Sequence, residues 1–439
     1  MTKPEKYILE RPKDKSIYSD TDLIESFQKN KELIEKANSP IYLHWKELKW
    51  KTEWLPRDKE KFWHIVKATR YYRKSYTLIE SYEDKEKNFF TWVNLPRFQN
   101  FLHKFDLGIG GDIVANKTID AQERKIIIRQ SIIEEAIASS QVEGAHTSRK
   151  VAKEMIKFGR KPRDSSEQMI YNNYRAMERI TECKDENLSL ELILELHQIL
   201  TKDDKTLKEN EIGRFRDDEV YVTDGEFCYY EAPDPKFVQR ELTKLIELAN
   251  APFSEDGSFF IHPVIEAIML HFWISYLHPF VDGNGRLARC LFYWYMLKKG
   301  YWIISYLPIS RIIKKSPKQY GMSFVYTEQD DSDLTYFIDY NIRKIQQAQK
   351  EFEEYYIRRI KETEKEEEIN KNLDLNERQV QILRSLENGS FVTNKGYINI
   401  FDISKPTGIS DLKDLERKDL IRSEKSGREV RYYKKIGKI

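Results

Sequence analysis

Two strongly apolar segments joined by a glycine-rich turn constrain the fold of this chain more than any other feature. Residues 264–277 read VIEAIMLHFWISYL, and residues 287–299 read LARCLFYWYMLKK. Each segment has the length and composition of a buried helix. The sequence DGNG lies between them at 282–285, so we expect a tight turn that leads directly into the N-terminus of the second helix.

The composition sets the broad class of protein. A length of 439 residues predicts roughly two to four domains. Hydrophobic residues make up 40% of the chain, which is enough for packed cores. The 74 Lys and Arg are nearly balanced by 72 Asp and Glu, which excludes a histone-like basic chain. The three cysteines are far apart and form no CxxC pair, which argues against a disulfide framework or a cysteine zinc site.

The sequence predicts a cytoplasmic protein without a membrane partner. The N-terminal residues MTKPEKYILERPKDKS lack the apolar core of a signal peptide. A membrane-spanning helix needs about 18 or more apolar residues in a row, and the chain contains no such run.

The remaining patterns predict a mostly α protein in four parts. We expect an aromatic-rich helical region at 1–119, a helical core at 120–345 and a polar helix or linker at 346–373. Residues 374–439 read helix, helix, helix, hairpin, which is the order of a winged helix-turn-helix. Inside the core, an Asp-Gly pair between the β-prone runs of 219–231 predicts one small β-hairpin.

The segment HPFVDGNGRLAR, at 278–289, combines groups suited to phosphate chemistry. Its glycines let a ligand approach the backbone closely, and free amides at a helix start bind anions. Arg286 and Arg289 are three residues apart, so they share one side of that helix and suit a polyphosphate. Asp282 could hold Mg²⁺, and His278 is the nearby group suited to general base catalysis near neutral pH.

This segment resembles the signature of the Fic family, H-x-F-x-[DE]-G-N-G-R-x-x-R, and every defined position is matched. The resemblance extends to the preceding apolar helix, to LELHQILTKD at 194–203, to GRFR at 213–216 and to the hairpin. It implies a Fic core at 120–345, helical apart from the hairpin, which is the family's flap. Most Fic proteins transfer AMP from ATP to a hydroxyl side chain of a protein.

The resemblance also implies roles for individual residues. His278 would take the proton of a Ser, Thr or Tyr hydroxyl, and Asp282 would bind Mg²⁺. The implied ATP-binding residues are Phe280, which anchors the loop, Gly283, Asn284 and Gly285, which form the anion hole, Arg286 and Arg289, which hold the β- and γ-phosphates, and Tyr320, a candidate for the adenine pocket. The flap residues implied in target binding by strand addition are Val220, Tyr221, Val222 and Thr223.

A second motif resembles the inhibitory sequence of Fic proteins, [ST]-x-x-x-E-[GN]. It is SSQVEG, which begins at Ser139 and contains Glu143. The resemblance implies that Glu143 pairs with Arg289 and blocks placement of the γ-phosphate. The sequence thus predicts an autoinhibited protein adenylyltransferase that uses ATP and Mg²⁺.

Residues 375–439 leave alternatives open. They hold 14 Lys and Arg against 9 Asp and Glu, and the basic residues concentrate in the hairpin rather than in the helix that would read DNA. The tail could contact DNA or a protein. One alternative is therefore a DNA-binding regulator with a nucleotide-sensing core, and another is a Fic enzyme that transfers or removes a different phosphate-containing group. The sequence also leaves open modification of the protein itself and a homo-oligomer.

Overall fold

The computed structural model describes residues 4–13, 19–82, 89–110, 121–251, 260–372, 374–386, 391–426 and 429–435. The chain divides into two compact units, Met1–Phe352 and Glu353–Ile439. The prediction of a mostly α protein is confirmed. The predicted boundary between 119 and 120 lies outside the described residues, and the four-part division stays a prediction.

The N-terminal part of the first unit contains helices and a β-hairpin. Its elements are β1 (Glu5–Lys6), α1 (Asp20–Lys29), α2 (Lys31–Asn38), α3 (Trp45–Leu48), α4 (Lys59–Arg73), β2 (Lys74–Glu80), β3 (Phe89–Val93) and α5 (Pro96–Gly110). Trp45 and Trp63 pack in its buried core, whereas Trp50 is exposed.

The antiparallel pair of β2 and β3 was not part of the helical prediction for this region. Thr77 and Ile79 alternate with exposed residues along β2, so a period of two was present in the sequence. The residues between the two strands contain no Asn-Gly or Asp-Gly pair, which is the strongest short-range signal for a hairpin.

The rest of the first unit is a helical core that carries the flap hairpin. Its elements are α6 (Ala121–Val142), α7 (Arg149–Lys157), α8 (Ser165–Glu182), α9 (Leu190–Leu200), β4 (Tyr221–Thr223), β5 (Phe227–Glu231), α10 (Pro235–Asn250), α11 (Pro263–Leu277), α12 (Asn284–Lys298), α13 (Ile309–Ile313), α14 (Pro317–Gln329) and α15 (Thr335–Asn372), with 3₁₀ turns at Glu209–Glu211 and Trp302–Tyr306. The helix α15 continues into the second unit.

Helices α11 and α12 form the centre of this core. They are the two apolar segments of the sequence, and nearly every side chain of both is buried, including Trp273 and Trp294. Because α11 has no polar face, neighbouring elements must cover it on all sides. The loop that joins the two helices is therefore anchored at each end by a buried helix.

The flap is part of a three-stranded sheet in the order β1–β5–β4. The hairpin of β4 and β5 is antiparallel, with Tyr221 opposite Glu231. The N-terminal strand β1 pairs with β5 in parallel, and Glu5 lies opposite Phe227. Among the described residues, β4 and β1 are thus the two edge strands of this sheet, and β5 is the central strand.

The second unit has its own core and sheet. Its elements after α15 are α16 (Glu377–Ser385), β6 (Phe391–Thr393), α17 (Asn394–Phe401), α18 (Lys405–Arg417), β7 (Ile421–Ser426) and β8 (Glu429–Lys434), and the strand order is β6–β8–β7. The three helices and the final hairpin occur in the order that the sequence predicts, and the short strand β6 is additional. The assignment as a winged helix-turn-helix stays a prediction.

In the part of the chain that the structure describes, no helix combines the length and apolarity needed to cross a bilayer.

We expect Leu412→Ala to destabilise the second unit by about 2–5 kcal/mol, because Leu412 is fully buried in its core and truncation leaves a cavity. Native-state hydrogen exchange of amides in α16–α18 measures this free energy of unfolding. The matched control is Ile400→Ala, since Ile400 is 62% exposed, and it should change the stability by about 0.5 kcal/mol or less. Equal effects of the two variants would contradict the proposed core.

Candidate active site

The loop between α11 and α12 is held in place by its own side chains. The aromatic ring of Phe280 is fully buried and stacks on the imidazole of His197, with ring centroids 3.7 Å apart. The amide of Asn284 folds back across the loop, accepting from the Phe280 N–H at 3.0 Å and donating to the Phe280 carbonyl at 2.8 Å. The Asn284 side chain therefore braces the loop, and its position at the start of α12 places its backbone at a helix N-terminus.

His278 lies directly after α11, and its backbone is left-handed, with φ 47° and ψ 56°. Its ring nitrogen Nδ1 lies 3.2 Å from the Ser275 carbonyl oxygen. Because a carbonyl only accepts, neutral His278 carries its proton on Nδ1 and leaves the lone pair of Nε2 available. This is the protonation state that a general base requires.

The electrostatic surroundings also favour neutral His278. Burial lowers the pKa of His278 below its ordinary value, and the Arg216 guanidinium acts in the same direction. The Ser275 carbonyl and the carboxylates of Glu143 and Asp282 oppose this change without reversing it. The imidazole is therefore neutral at pH 7.

The turn that follows is fixed from the side of α9. His197 donates from Nε2 to the Asp282 carbonyl at 2.9 Å and accepts the Gly213 N–H on Nδ1 at 3.0 Å. Burial lowers the pKa of His197 to about 4, so it stays neutral and keeps this pattern. Gly283 has φ +87°, and a Cβ there would lie 3.1 Å from Thr201, so both the backbone and the space require glycine.

Asp282 and Arg286 form the rim of the turn. Asp282 Oδ1 accepts the Gly283 N–H at 2.6 Å, and Oδ2 lies 3.3 Å from Arg286 Nη2. The Asp282 side chain is 46% exposed, whereas that of Arg286 is 1% exposed. Arg286 also donates to the Leu200 carbonyl, but its buried Nε has no partner among the described residues.

Arg289 lies one turn further along α12 and is engaged by the end of α6. Its Nε donates to Ser139 Oγ at 2.8 Å, and its Nη2 donates to the Ser139 carbonyl and, at 2.9 Å, to Glu143 Oε1. Burial alone would lower the pKa of Arg289, but Glu143, Tyr320 and Glu135 together outweigh burial and raise that pKa. The guanidinium is therefore a fixed cation.

The Glu143 carboxylate also fills the space over the start of α12. A Cβ on Gly285 would lie 2.3 Å from Glu143 Oε1, so the carboxylate rests directly against this glycine. The buried Nη1 of Arg289 has no hydrogen-bond partner among the described residues. An unpaired buried N–H is costly, and together with the adjacent helix N-terminus it marks a position for an anionic group.

Tyr320 lies on α14, close to the Arg289 guanidinium. Its hydroxyl is 2.8 Å from Nε2 of His271, and its ring packs near Phe324 and Tyr340. Burial lowers the pKa of His271 to about 3, so the neutral imidazole can accept from the tyrosine hydroxyl. The structure thus places Tyr320 close to Arg289 in an aromatic surrounding, but no contact of this residue indicates an adenine pocket.

The four residues for which the sequence implies a role in target binding lie on β4 or directly before it. Val222 is 42% exposed, Thr223 is also exposed, and Val220 and Tyr221 are partly buried. The hairpin approaches the loop between α11 and α12 through β5, where the ring of Tyr230 lies 6.4 Å from that of His278. Within the described residues, no strand pairs with the side of β4 that faces away from β5.

Within the described residues, no three side chains of His, Cys, Asp or Glu lie close enough together to hold a metal ion by themselves. Asp282 nevertheless fits Mg²⁺, which takes one or two carboxylates and completes its shell with water and phosphate oxygens. The half-exposed Asp282 carboxylate at the rim of an anion cradle has this character.

The comparisons with known proteins match this site. The sequence pattern of the Fic/DOC family matches residues 187–296, which include the loop and both helices around it. The chain carries a Fic domain. The protein adenylyltransferase fic-1 of Caenorhabditis elegans is 32% identical over 117 residues, or 26% of this chain and 20% of that protein. The protein adenylyltransferase Fic of Nematostella vectensis is 29% identical over 118 residues, or 27% of this chain and 25% of that protein.

The chain therefore spans about a fifth to a quarter of the length of these curated relatives. The fold is similar to that of a Fic family protein from Desulfovibrio desulfuricans G20, with a TM-score of 0.52. The two are 18% identical, and the similarity covers 79% of this chain and 98% of the other. This likeness concerns the fold alone, and it extends over more of the chain than residues 187–296.

The sequence analysis assigned no function to two residues that hold the loop between α11 and α12 in place. His197 and Arg216 both contact backbone carbonyls of this loop. Each lies in a stretch that resembles the family, LELHQILTKD and GRFR, so the signal that could have found them was present. Their partners are main-chain atoms far along the sequence, which no side-chain pattern reveals.

We expect His278 to be the neutral Nδ1–H tautomer at pH 7, with a pKa below its ordinary value. Long-range ¹H–¹⁵N spectra of the imidazole, assigned with His278→Asn, measure both properties. Since burial disfavours the charged form, protonation of His278 should also destabilise the fold as the pH falls. An Nε2–H tautomer, or a pKa above the ordinary value, would contradict the arrangement around Ser275.

Proposed function

We propose that this chain is a protein adenylyltransferase that moves AMP from ATP to a hydroxyl of a target protein or of itself, and that Glu143 keeps it inactive. One observation carries the proposal: the Glu143 carboxylate occupies Arg289 beside a helix N-terminus that suits an anion. The names of the relatives that match the Fic domain support the same reaction.

His278 would act as the general base. Its Nε2 would accept the proton of the target hydroxyl, whose oxygen would attack the α-phosphorus of ATP. A new P–O bond forms to the target, the bond to the β-phosphate oxygen breaks, and pyrophosphate leaves. His278 then returns its proton to pyrophosphate or water.

The start of α12 would neutralise the charge of the phosphates. The backbone amides at Gly283, Asn284 and Gly285 lie at a helix N-terminus, where the helix dipole favours an anion. Arg286 and Arg289 lie on the same side of this helix and add two fixed cations. Bound Mg²⁺ would supply further charge neutralisation at the phosphates, and Asp282 is the residue that would hold it.

Inhibition would follow from competition for Arg289. A carboxylate and a γ-phosphate cannot both occupy the face of the guanidinium beside Gly285, because Glu143 already lies within contact distance of that glycine. ATP would then bind with its phosphates displaced from the position that transfer requires. Position matters because phosphoryl-type transfer depends mostly on alignment and charge neutralisation.

The target would bind at the open edge of the flap. Strand addition takes place at the edge of a sheet, and β4 is an edge strand, whereas β5 lies between β4 and β1. The exposed Val222 and Thr223 would then contact side chains of the target segment.

The second unit supports a DNA-binding alternative only through its hairpin. Asp414 of α18 binds both Arg417, at the end of this helix, and Lys418, directly after it, so these two cations are already paired with a carboxylate. On the hairpin, Arg422 and Arg431 lie over aromatic rings. A salt-dependent mobility shift with duplex DNA, combined with no nucleotide transfer, would favour the regulator over the enzyme.

The test of the reaction is His278→Ala, made in the Glu143→Gly protein so that the parent is active, with ATP labelled at the α-phosphate. We expect incorporation of label into protein to fall at least 100-fold, since a positioned general base contributes about 10²–10⁴-fold. ATP binding, measured by calorimetry, should change less than threefold because the phosphate cradle is intact. Label transfer at more than a tenth of the parent rate would contradict the role of His278.

We expect Glu143→Gly to raise label transfer tenfold or more. A charge-assisted hydrogen bond contributes about 1.5–3 kcal/mol, and about 1.4 kcal/mol corresponds to a factor of ten. The matched control is Glu182→Gly, which removes an exposed carboxylate at the end of α8 and should leave the rate unchanged. Adding Arg289→Ala should abolish the gain. An unchanged rate in folded Glu143→Gly would refute autoinhibition but not adenylylation.

A further inference from the structure

Arg216 is a buried cation that serves only backbone atoms. It is 4% exposed, and its guanidinium donates to the carbonyls of His278 at 2.7 Å, Asp218 at 2.8 Å, Pro233 and, weakly at 3.5 Å, Leu277. Among the described residues, no carboxylate lies within ion-pair distance of this guanidinium. Its hydrogen bonds therefore fix geometry, since a planar fork with five N–H donors can bind several carbonyls at fixed angles.

These carbonyls belong to two different parts of the site. Asp218 precedes β4 and Pro233 follows β5, so two of the bonds hold the two ends of the flap. Leu277 and His278 are the C-terminus of α11 and the catalytic loop. One side chain thus ties the base of the flap to the backbone of the proposed general base.

The His278 backbone needs such support. Its left-handed φ of 47° is unfavourable for a residue with a Cβ and persists only where the surroundings impose it. The Arg216 N–H adds a bond of 2.9 Å to the Pro279 carbonyl, so both its backbone and its side chain hold the loop. A cation at the C-terminus of α11 is also favoured by the helix dipole.

We propose that Arg216 is a positioning residue that sets the distance between the flap, where a target segment would bind, and the imidazole of His278. This proposal rests on the proposed function. The target hydroxyl and Nε2 of His278 must come within hydrogen-bond reach, and an error of about 1 Å can cost roughly 100-fold in rate. Arg216 bridges the two parts directly, so it would control this distance without touching ATP or the target.

If Arg216 positions the flap, replacing it should affect the rate of transfer and not the binding of ATP. The phosphate cradle lies on α12 and is held by His197 and Asn284, not by Arg216. Loosening the flap relative to His278 should therefore lower kcat and leave the affinity for ATP nearly unchanged.

The decisive variants are Arg216→Lys, which keeps the charge but not the fork, and Arg216→Gln, which removes the charge. Both are made in the Glu143→Gly protein. Matched controls are Arg214→Lys and Arg214→Gln, because Arg214 is an exposed arginine two residues away. We expect both Arg216 variants to lose at least tenfold in incorporation of α-labelled ATP, to bind ATP within threefold of the parent, and to show faster amide exchange at 218–233 and 278–283.

The pH profile separates positioning from a general loss of folded protein. The charged or titratable groups around His278 are Arg216, Tyr230, Asp282 and, in the unmodified chain, Glu143. Because Arg216 lowers the pKa of His278, Arg216→Gln should move the acid limb of the rate to higher pH, while Arg216→Lys should leave it in place. A smaller amount of folded enzyme would not move this limb.

Transfer by the Arg216 variants at the rate of the Arg214 controls would overturn the proposal, as would an equal loss of ATP binding and transfer. If the Glu143→Gly parent transfers no label, the proposed function fails and the Arg216 proposal is decided by amide exchange. Increased exchange confined to 218–233 and 278–283 supports it, and unchanged or global exchange refutes it.

Discussion

The packing of α11 against α12 is the constraint on which the rest of the site depends. Both helices are apolar on nearly every side, so the core must surround them, and the loop between them has little freedom. The first residue of this loop is His278 and its last residues begin α12. The proposed general base and the proposed anion-binding helix start are therefore held a few residues apart by hydrophobic burial rather than by contacts with a ligand.

Polar contacts then refine what packing has placed. His197, Asn284 and Arg216 each bind main-chain atoms of the loop, and all three are buried. A buried polar group that loses its partner costs about 1–3 kcal/mol, so the loop resists displacement. The proposed inhibitory contact is different in kind, because the Glu143 side chain is 31% exposed and can leave Arg289 for water. A rigid anion-binding turn and a carboxylate that can move away from it are consistent with the proposed autoinhibition.

The sequence predicts the local features of this protein but not those that depend on contacts between residues far apart in the chain. The Asp-Gly turn predicts the hairpin of β4 and β5, whereas the third strand of this sheet, β1, comes from the N-terminal end of the unit and cannot be inferred from the hairpin sequence. Hydrogen bonds between backbones do not select side chains, so Glu5 and Lys6 reveal nothing of their pairing with β5. The hairpin of β2 and β3 was missed because its turn lacks a strong signal.

The sequence by itself determined the helical class, the two buried helices and the residue types of the catalytic loop, because periodicity, apolar content and turn chemistry are local properties. Only the tertiary structure decided that Glu143 reaches Arg289, that His278 carries its proton on Nδ1, and that Arg216 joins the flap to the loop. Each of these is a contact made across a turn or between separate elements. Such contacts depend on how helices pack in three dimensions, and one sequence records their residues but not their distances.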